Sequence, residues 1–165
     1  MSHGAETMRP EGLTRRRILK TGLAALPAGT VLSIIVRPAE ATPEAMQEAI
    51  RRVTGGAALR RGRVKLDVPP LSENGNSVSC TVTVESPMTA ADHVKAIHLF
   101  NEKNPQPNVI SVHLGPRAGV ARIATRIRLF DTQTVTAVAA MSDGTFWSDS
   151  ASVIVTLGAC LEDTP

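Results

Sequence analysis

The 165-residue chain contains no tyrosine, one tryptophan and three phenylalanines. A core built from it must be aliphatic, and the stacking platform on which single-stranded nucleic acid lies is missing. The local basic cluster of Arg51, Arg52, Arg60, Arg61 and Arg63 has no aromatic residues interleaved with it. It reads as a solvated face or a protein interface, and no nucleic-acid partner is expected. Cysteine is scarce too: Cys80 and Cys160 are the only two, too few for a disulfide scaffold and without a Cys-x-x-Cys pair. His93, His98 and His113, with Met88 and Met141, raise the idea of a copper or zinc site. However, no His-x-His pair occurs, and His93 and His98, five apart on one strand, point to opposite faces. No metal is therefore expected. Ser142 and Ser148 have no histidine at a readable spacing, and neither a paired-carboxylate motif nor a phosphate-binding glycine loop is present. The chain is expected not to be an enzyme. It also lacks a long apolar run: residues 21–36 are interrupted by Pro27 and Gly29, which argues against stable membrane insertion.

What is present begins with an address. Arg15-Arg16, followed by Ile18, Leu19 and Lys20, fits the twin-arginine export pattern. A weakly apolar stretch follows, and Ala39-Glu40-Ala41 offers a small-x-small cleavage site ending at Ala41. The expectation is a signal peptide over residues 1–41, removed on export to the periplasm. That segment holds six Lys/Arg and three Asp/Glu, leaving twelve of each in the 124 residues that follow. The net charge of +3 thus belongs to the address, and the mature chain is formally neutral.

The mature length suits one domain. Over residues 42–56 a short helix is expected. Thr42 caps it, Pro43 opens it, Ala45, Met46, Ala49, Ile50 and Val53 recur at helical spacing, and Gly55-Gly56 stops it. From there the period becomes two. Strands are expected over residues 63–68, 77–85, 94–100, 109–114, 120–129, 133–141 and 146–157, with Asn74-Gly75-Asn76 and Asp143-Gly144 as turn signals. Residues 57–157 thus read as an all-β, immunoglobulin-like antiparallel β-sandwich. The stretch 94–100 is apolar on both faces, where a sandwich strand should have one face in solvent. Either another element or a second protein must cover it. His98 within it reads as an interface or hydrogen-bonding residue, and Arg117, in the loop 115–119, as a candidate contact for an anion.

Residues 158–165 read as a flexible C-terminal arm that carries Cys160 after Gly158 and Ala159. At about 3.3–3.6 Å per residue, the three steps from Leu157 give the cysteine roughly 10 Å of reach. Glu162 and Asp163 stand beside it; like charge disfavours a thiolate, so this thiol must be activated by another protein. Cys80, on the same strand face as Val78, Val82 and Val84, reads as a buried hydrophobe. A Cys80–Cys160 disulfide is the alternative, and it would tie the arm down.

From about Thr42 the sequence resembles SoxY, the sulfur-carrier subunit of the periplasmic thiosulfate-oxidising system. The resemblance lies in GRVKL at 62–66, ENGN at 73–76, SPMTAADHVKAIH at 86–98, EKNP at 102–105, GPRAG at 115–119, TRIRL at 125–129, VTAVA at 135–139, MSDG at 141–144 and VTLGAC at 155–160. It implies a heterodimer with a SoxZ-type subunit and covalent sulfur cargo on Cys160, with no separate cofactor. It also implies transient dealings with a SoxAX-type haem enzyme, a SoxB-type hydrolase and a sulfane dehydrogenase. The family ending Gly-Gly-Cys-Gly-Gly is here Gly158-Ala159-Cys160-Leu161-Glu162, and Cys80 is a second departure. Two other readings are a periplasmic immunoglobulin-like interaction subunit without cargo, and a metal chaperone using the His and Met residues.

Overall fold

The computed structural model describes residues 42–159. The expected signal segment with Arg15, Arg16 and Ala41, and the tail 160–165 with Cys160, lie outside the described residues. Helix α1 (Pro43–Thr54) starts where the sequence says it should. Thr42 is extended, its hydroxyl accepts from the Ala45 amide, and Gly55 closes the helix in the left-handed region. Nine strands follow: β1 (Leu59–Arg60), β2 (Val64–Asp67), β3 (Leu71–Ser72), β4 (Val78–Val84), β5 (Val94–Asn101), β6 (Asn108–His113), β7 (Ala121–Ile127), β8 (Gln133–Met141) and β9 (Phe146–Val155). Among the described residues no helix is long and apolar enough to cross a membrane.

The strands form two sheets, one ordered β1-β9-β8-β5-β6 with β3 beside β9, the other β2-β4-β7. The main pairings are antiparallel, as the alternation predicts. Two short ones are not: β1 and β3 each run parallel to β9. These two-residue strands are too short for a period to show, and they are tertiary additions to the edge of β9. Between the sheets Val78, Cys80, Val82 and Val84 of β4 meet Ile97 and Leu99 of β5 and Ala137 and Ala139 of β8 in one aliphatic core. At the closed side, the Leu66 amide of β2 donates to Asp149 of β9.

The two-sided strand has its explanation within the chain. Ile97 and Leu99 face the sandwich core, while Phe100 belongs to a second cluster with Val138 of β8 and Met46, Ala49 and Ile50 of α1. The helix is therefore the cover for the outer face of this sheet, and no second protein is needed to account for that apolar pattern. Burying Phe100 and Ile50 there contributes on the order of 2–3 kcal/mol each, enough to hold a helix too short to persist alone.

Candidate functional site

Gly158 and Ala159, expected as the flexible start of the arm, are held in the body of the domain. After β9 the chain folds over the end of the sandwich. The Gly75 amide donates to the Leu157 carbonyl at 2.7 Å, the Leu129 amide to the Gly75 carbonyl at 2.8 Å, and the Ala159 amide to the Leu129 carbonyl at 3.0 Å. Leu129 is wholly buried and Ala159 is 7% exposed. Thr132 adds a further tie, its hydroxyl accepting from the Val155 amide.

This lacing works only because of two glycines. A Cβ at Gly75 would collide with the Leu129 carbonyl oxygen and meet the Ala159 nitrogen at 2.8 Å; one at Gly158 would collide with the Phe130 carbonyl oxygen. The Asn74-Gly75-Asn76 segment does turn, with Asn74 accepting from the Asn76 amide. Yet the glycine is required by close approach of three backbone segments, not by the turn. Alanine at 159 likewise fits a docked position, where its methyl group is covered, and not a swinging link. The described chain is thus tied to the domain through Ala159, the residue before Cys160. The reach counted from Leu157 is too long by two residues while the root stays docked.

Asn104 braces the same end. Its side-chain oxygen accepts from the Phe130 amide and from Gln133, and its amide group donates to the Arg128 carbonyl. The residues that define the root, Gly75, Asn104, Leu129 and Phe130, were not identified from sequence, because each acts through its backbone or a long-range contact. Arg117 is at the wrong end. It sits in a single 3₁₀ turn, Pro116–Ala118, just before the start of β7, whereas the root lies past the end of β7. Eight residue steps, most of them within β7, separate Ala121 from Leu129, at strand rise roughly 26 Å.

Cys80 is a different kind of thiol. It is 2% exposed, it is free, and it lies on β4 opposite Thr125. Burial, with the negative charge of Asp67 as the smaller cause, pushes its thiol up to about 11. The folded protein keeps this proton where the unfolded chain, titrating near 9.0, has lost it. Cys80 therefore stabilises the fold less and less as pH rises from about 9 to about 11, at up to about 1.4 kcal/mol per pH unit. A Cys80→Ala variant is expected to lose that slope in urea titrations at pH 8 to 11. Equal slopes in the two proteins would show that the thiol is not sealed.

His98 and His113, on neighbouring strands, do come together, with ring centroids 6.2 Å apart. His98 is buried and its Nδ1 shares a 2.8 Å hydrogen bond with the Ser111 hydroxyl. Burial first, and His113 second, lower its pKa. His98 is thus a hydrogen-bonded residue beneath the surface. Among the described residues no three His, Cys, Asp or Glu side chains gather as a metal set.

The profile of the family described as sulfur oxidation protein SoxY matches residues 50–160, so the match runs through the docked root and ends at Cys160. A comparison with curated protein sequences gives no match. Among solved structures, the sulfur carrier protein SoxY from Chlorobium limicola f thiosulfatophilum is similar. It is 24% identical, has a TM-score of 0.58, and the alignment covers 68% of this chain and 96% of that one. A superoxide reductase (neelaredoxin) from Ignicoccus hospitalis aligns over 70% of this chain and 94% of its own, at 17% identity and a TM-score of 0.52. Likeness at these identities shows a shared sandwich and nothing of its chemistry. The family match spans most of the sequence and is the finding that identifies the chain: it belongs to the SoxY family of sulfur oxidation proteins.

Proposed function

We propose that this protein is a covalent sulfur carrier of the periplasm, holding thiosulfate-derived sulfur on Cys160 while partner enzymes act on it. The observation that carries the reading is the family match, which extends over the docked root to the cysteine itself. The root supports it: a carrier thiol must stand clear of its own core yet stay fixed to a rigid body, and the lacing at Gly75 and Leu129 supplies the fixed point. Cys80 supports it by contrast, since its burial keeps a second thiol out of the chemistry.

The chemistry is a sulfur–sulfur bond made and then trimmed. The Cys160 thiol and the terminal sulfur of thiosulfate lose two electrons and the thiol proton, giving Cys–S–S–SO3⁻. A haem enzyme of the SoxAX type is the electron acceptor. Water then attacks the sulfonate sulfur at a SoxB-type hydrolase, releasing sulfate and leaving Cys–S–S⁻, which a sulfane dehydrogenase or a sulfur-transfer route consumes. The carrier contributes the thiol and its placement. A SoxZ-type subunit is its stable partner in this reading, and the twin-arginine segment delivers the chain, folded, to the periplasm.

The test is an intact mass of the mature protein, purified without reductant from cells given thiosulfate, followed by fragmentation. A reductant-labile thiosulfonate or persulfide on Cys160 is the expected result. An unmodified Cys160 in cells actively oxidising thiosulfate would overturn the assignment, as would a Cys80–Cys160 disulfide.

A further inference from the structure

Asn74-Gly75 is the only asparagine–glycine pair in the chain, and it lies where the arm's root is tied down. In such a pair the glycine nitrogen can attack the carbonyl carbon of the asparagine side chain, because glycine has no side chain of its own to shield it. The fold places both reacting groups. The electrophile is poised: Asn74 is exposed, and its Oδ1 accepts from the Asn76 amide at 2.9 Å, a donor aimed at the oxygen on which charge gathers during attack. The nucleophile is withheld. The Gly75 amide donates to the Leu157 carbonyl at 2.7 Å, which keeps its proton engaged, and Gly75 is buried. The Leu129 carbonyl oxygen and the Ala159 nitrogen crowd its Cα, so residues 74 and 75 have no room to close into a ring while the root is docked.

We propose that Asn74 is a self-modification site controlled by the arm's root: when residues 157–159 lift away, Asn74 deamidates, and the product keeps the root from docking again. The Gly75 nitrogen bonds to the Asn74 Cγ. Its proton ends on the side-chain NH2 group, which departs as ammonia and leaves a five-membered succinimide. Water opens either carbonyl of that ring, giving aspartate or isoaspartate at position 74, and no electrons are gained or lost. In the isoaspartyl product the main chain runs through the former side chain and is longer by one methylene. Gly75 then cannot hold the Leu157 carbonyl and the Leu129 amide together, as it now does at 2.7 and 2.8 Å. The modification is one-way, so a chain whose root has opened once too long keeps it open.

This inference concerns the root and stands apart from the cargo assignment, since Asn74 reacts or is protected whatever Cys160 carries. The test follows the conversion of Asn74 in the full mature chain, by fragmentation mass spectrometry, in mildly alkaline buffer. The folded wild type is expected to convert at least about tenfold more slowly than the same chain unfolded in urea. As urea is raised below the unfolding transition, its rate should follow hydrogen exchange of the Gly75 amide, because one opening exposes both. Gly158→Ala, crowded against the Phe130 carbonyl, should speed conversion roughly 5- to 30-fold by raising the population of open root. The isoaspartyl form, separated by chromatography, should have lost protection at the Ala159 amide while the core amides keep theirs. Conversion as fast in the folded wild type as in urea would overturn the proposal. So would a rate that ignores Gly75 exchange, a Gly158→Ala protein no faster than the wild type, or an isoaspartyl chain whose Ala159 amide stays protected.

Discussion

Replacing Cys160 by serine is expected to reduce thiosulfate-dependent turnover to background in a system reconstituted with the partner enzymes, while leaving the fold untouched. The chemical reason is that a hydroxyl cannot form the recoverable sulfur–sulfur bond on which each cycle depends. Cysteine and serine differ in a single side-chain atom, and stability is expected to change by less than about 0.5 kcal/mol. Cys80→Ala should behave in the opposite sense. It removes a sulfur from the core, where Cys80 packs with Val78 and Val82 between the sheets, and should cost about 1–2 kcal/mol with turnover retained. The pair separates a cargo thiol from a packing thiol in a single assay. Retained turnover in the Cys160→Ser protein would remove the carrier reading, whatever the family.

Much of the sandwich was legible because strands such as β2 and β4 alternate between buried and exposed positions. Val78, Cys80, Val82 and Val84 could only be one buried face, and the helix announced both its ends through Thr42 and Gly55. Less legible was anything carried by the backbone or by distant residues. The apolar outer face of β5 pointed equally to a partner and to a helix of the same chain, since a sequence shows that a surface must be covered and not by what. The pairing of β1 and β3 with β9 involves two residues each and leaves no period. The arm's root was missed for the same reason. Gly75 looks like any turn glycine and Ala159 like a small linker residue, yet each is where it is because another backbone passes within contact distance. The family was readable from motifs spread over the whole domain, and the family match bears it out, whereas the proposed chemistry rests on Cys160, which lies outside the described residues.

Gly75→Ala is expected to be among the most damaging small substitutions in the domain, costing about 2–4 kcal/mol in urea unfolding. The added carbon meets the Leu129 carbonyl oxygen and the Ala159 nitrogen, and a backbone group cannot rotate aside as a side chain can. Relief requires the end of β7 or the arm's root to move. That breaks hydrogen bonds worth about 1 kcal/mol each on top of the strain of overpacking. Gly158→Ala should be milder, about 1–2 kcal/mol. Its collision is with the Phe130 carbonyl alone, and residues 158 and 159 can peel away without disturbing a strand. The two variants therefore differ in kind. Gly75→Ala loosens the end of the sandwich, while Gly158→Ala frees the arm and lengthens the link to Cys160 by two residues, roughly 7 Å. In the Gly158→Ala protein the Ala159 amide should lose its protection against hydrogen exchange while the core amides keep theirs. If Ala159 exchanges as fast in the wild type as in this variant, the root is not held, and the docked anchor next to Cys160 has to be abandoned.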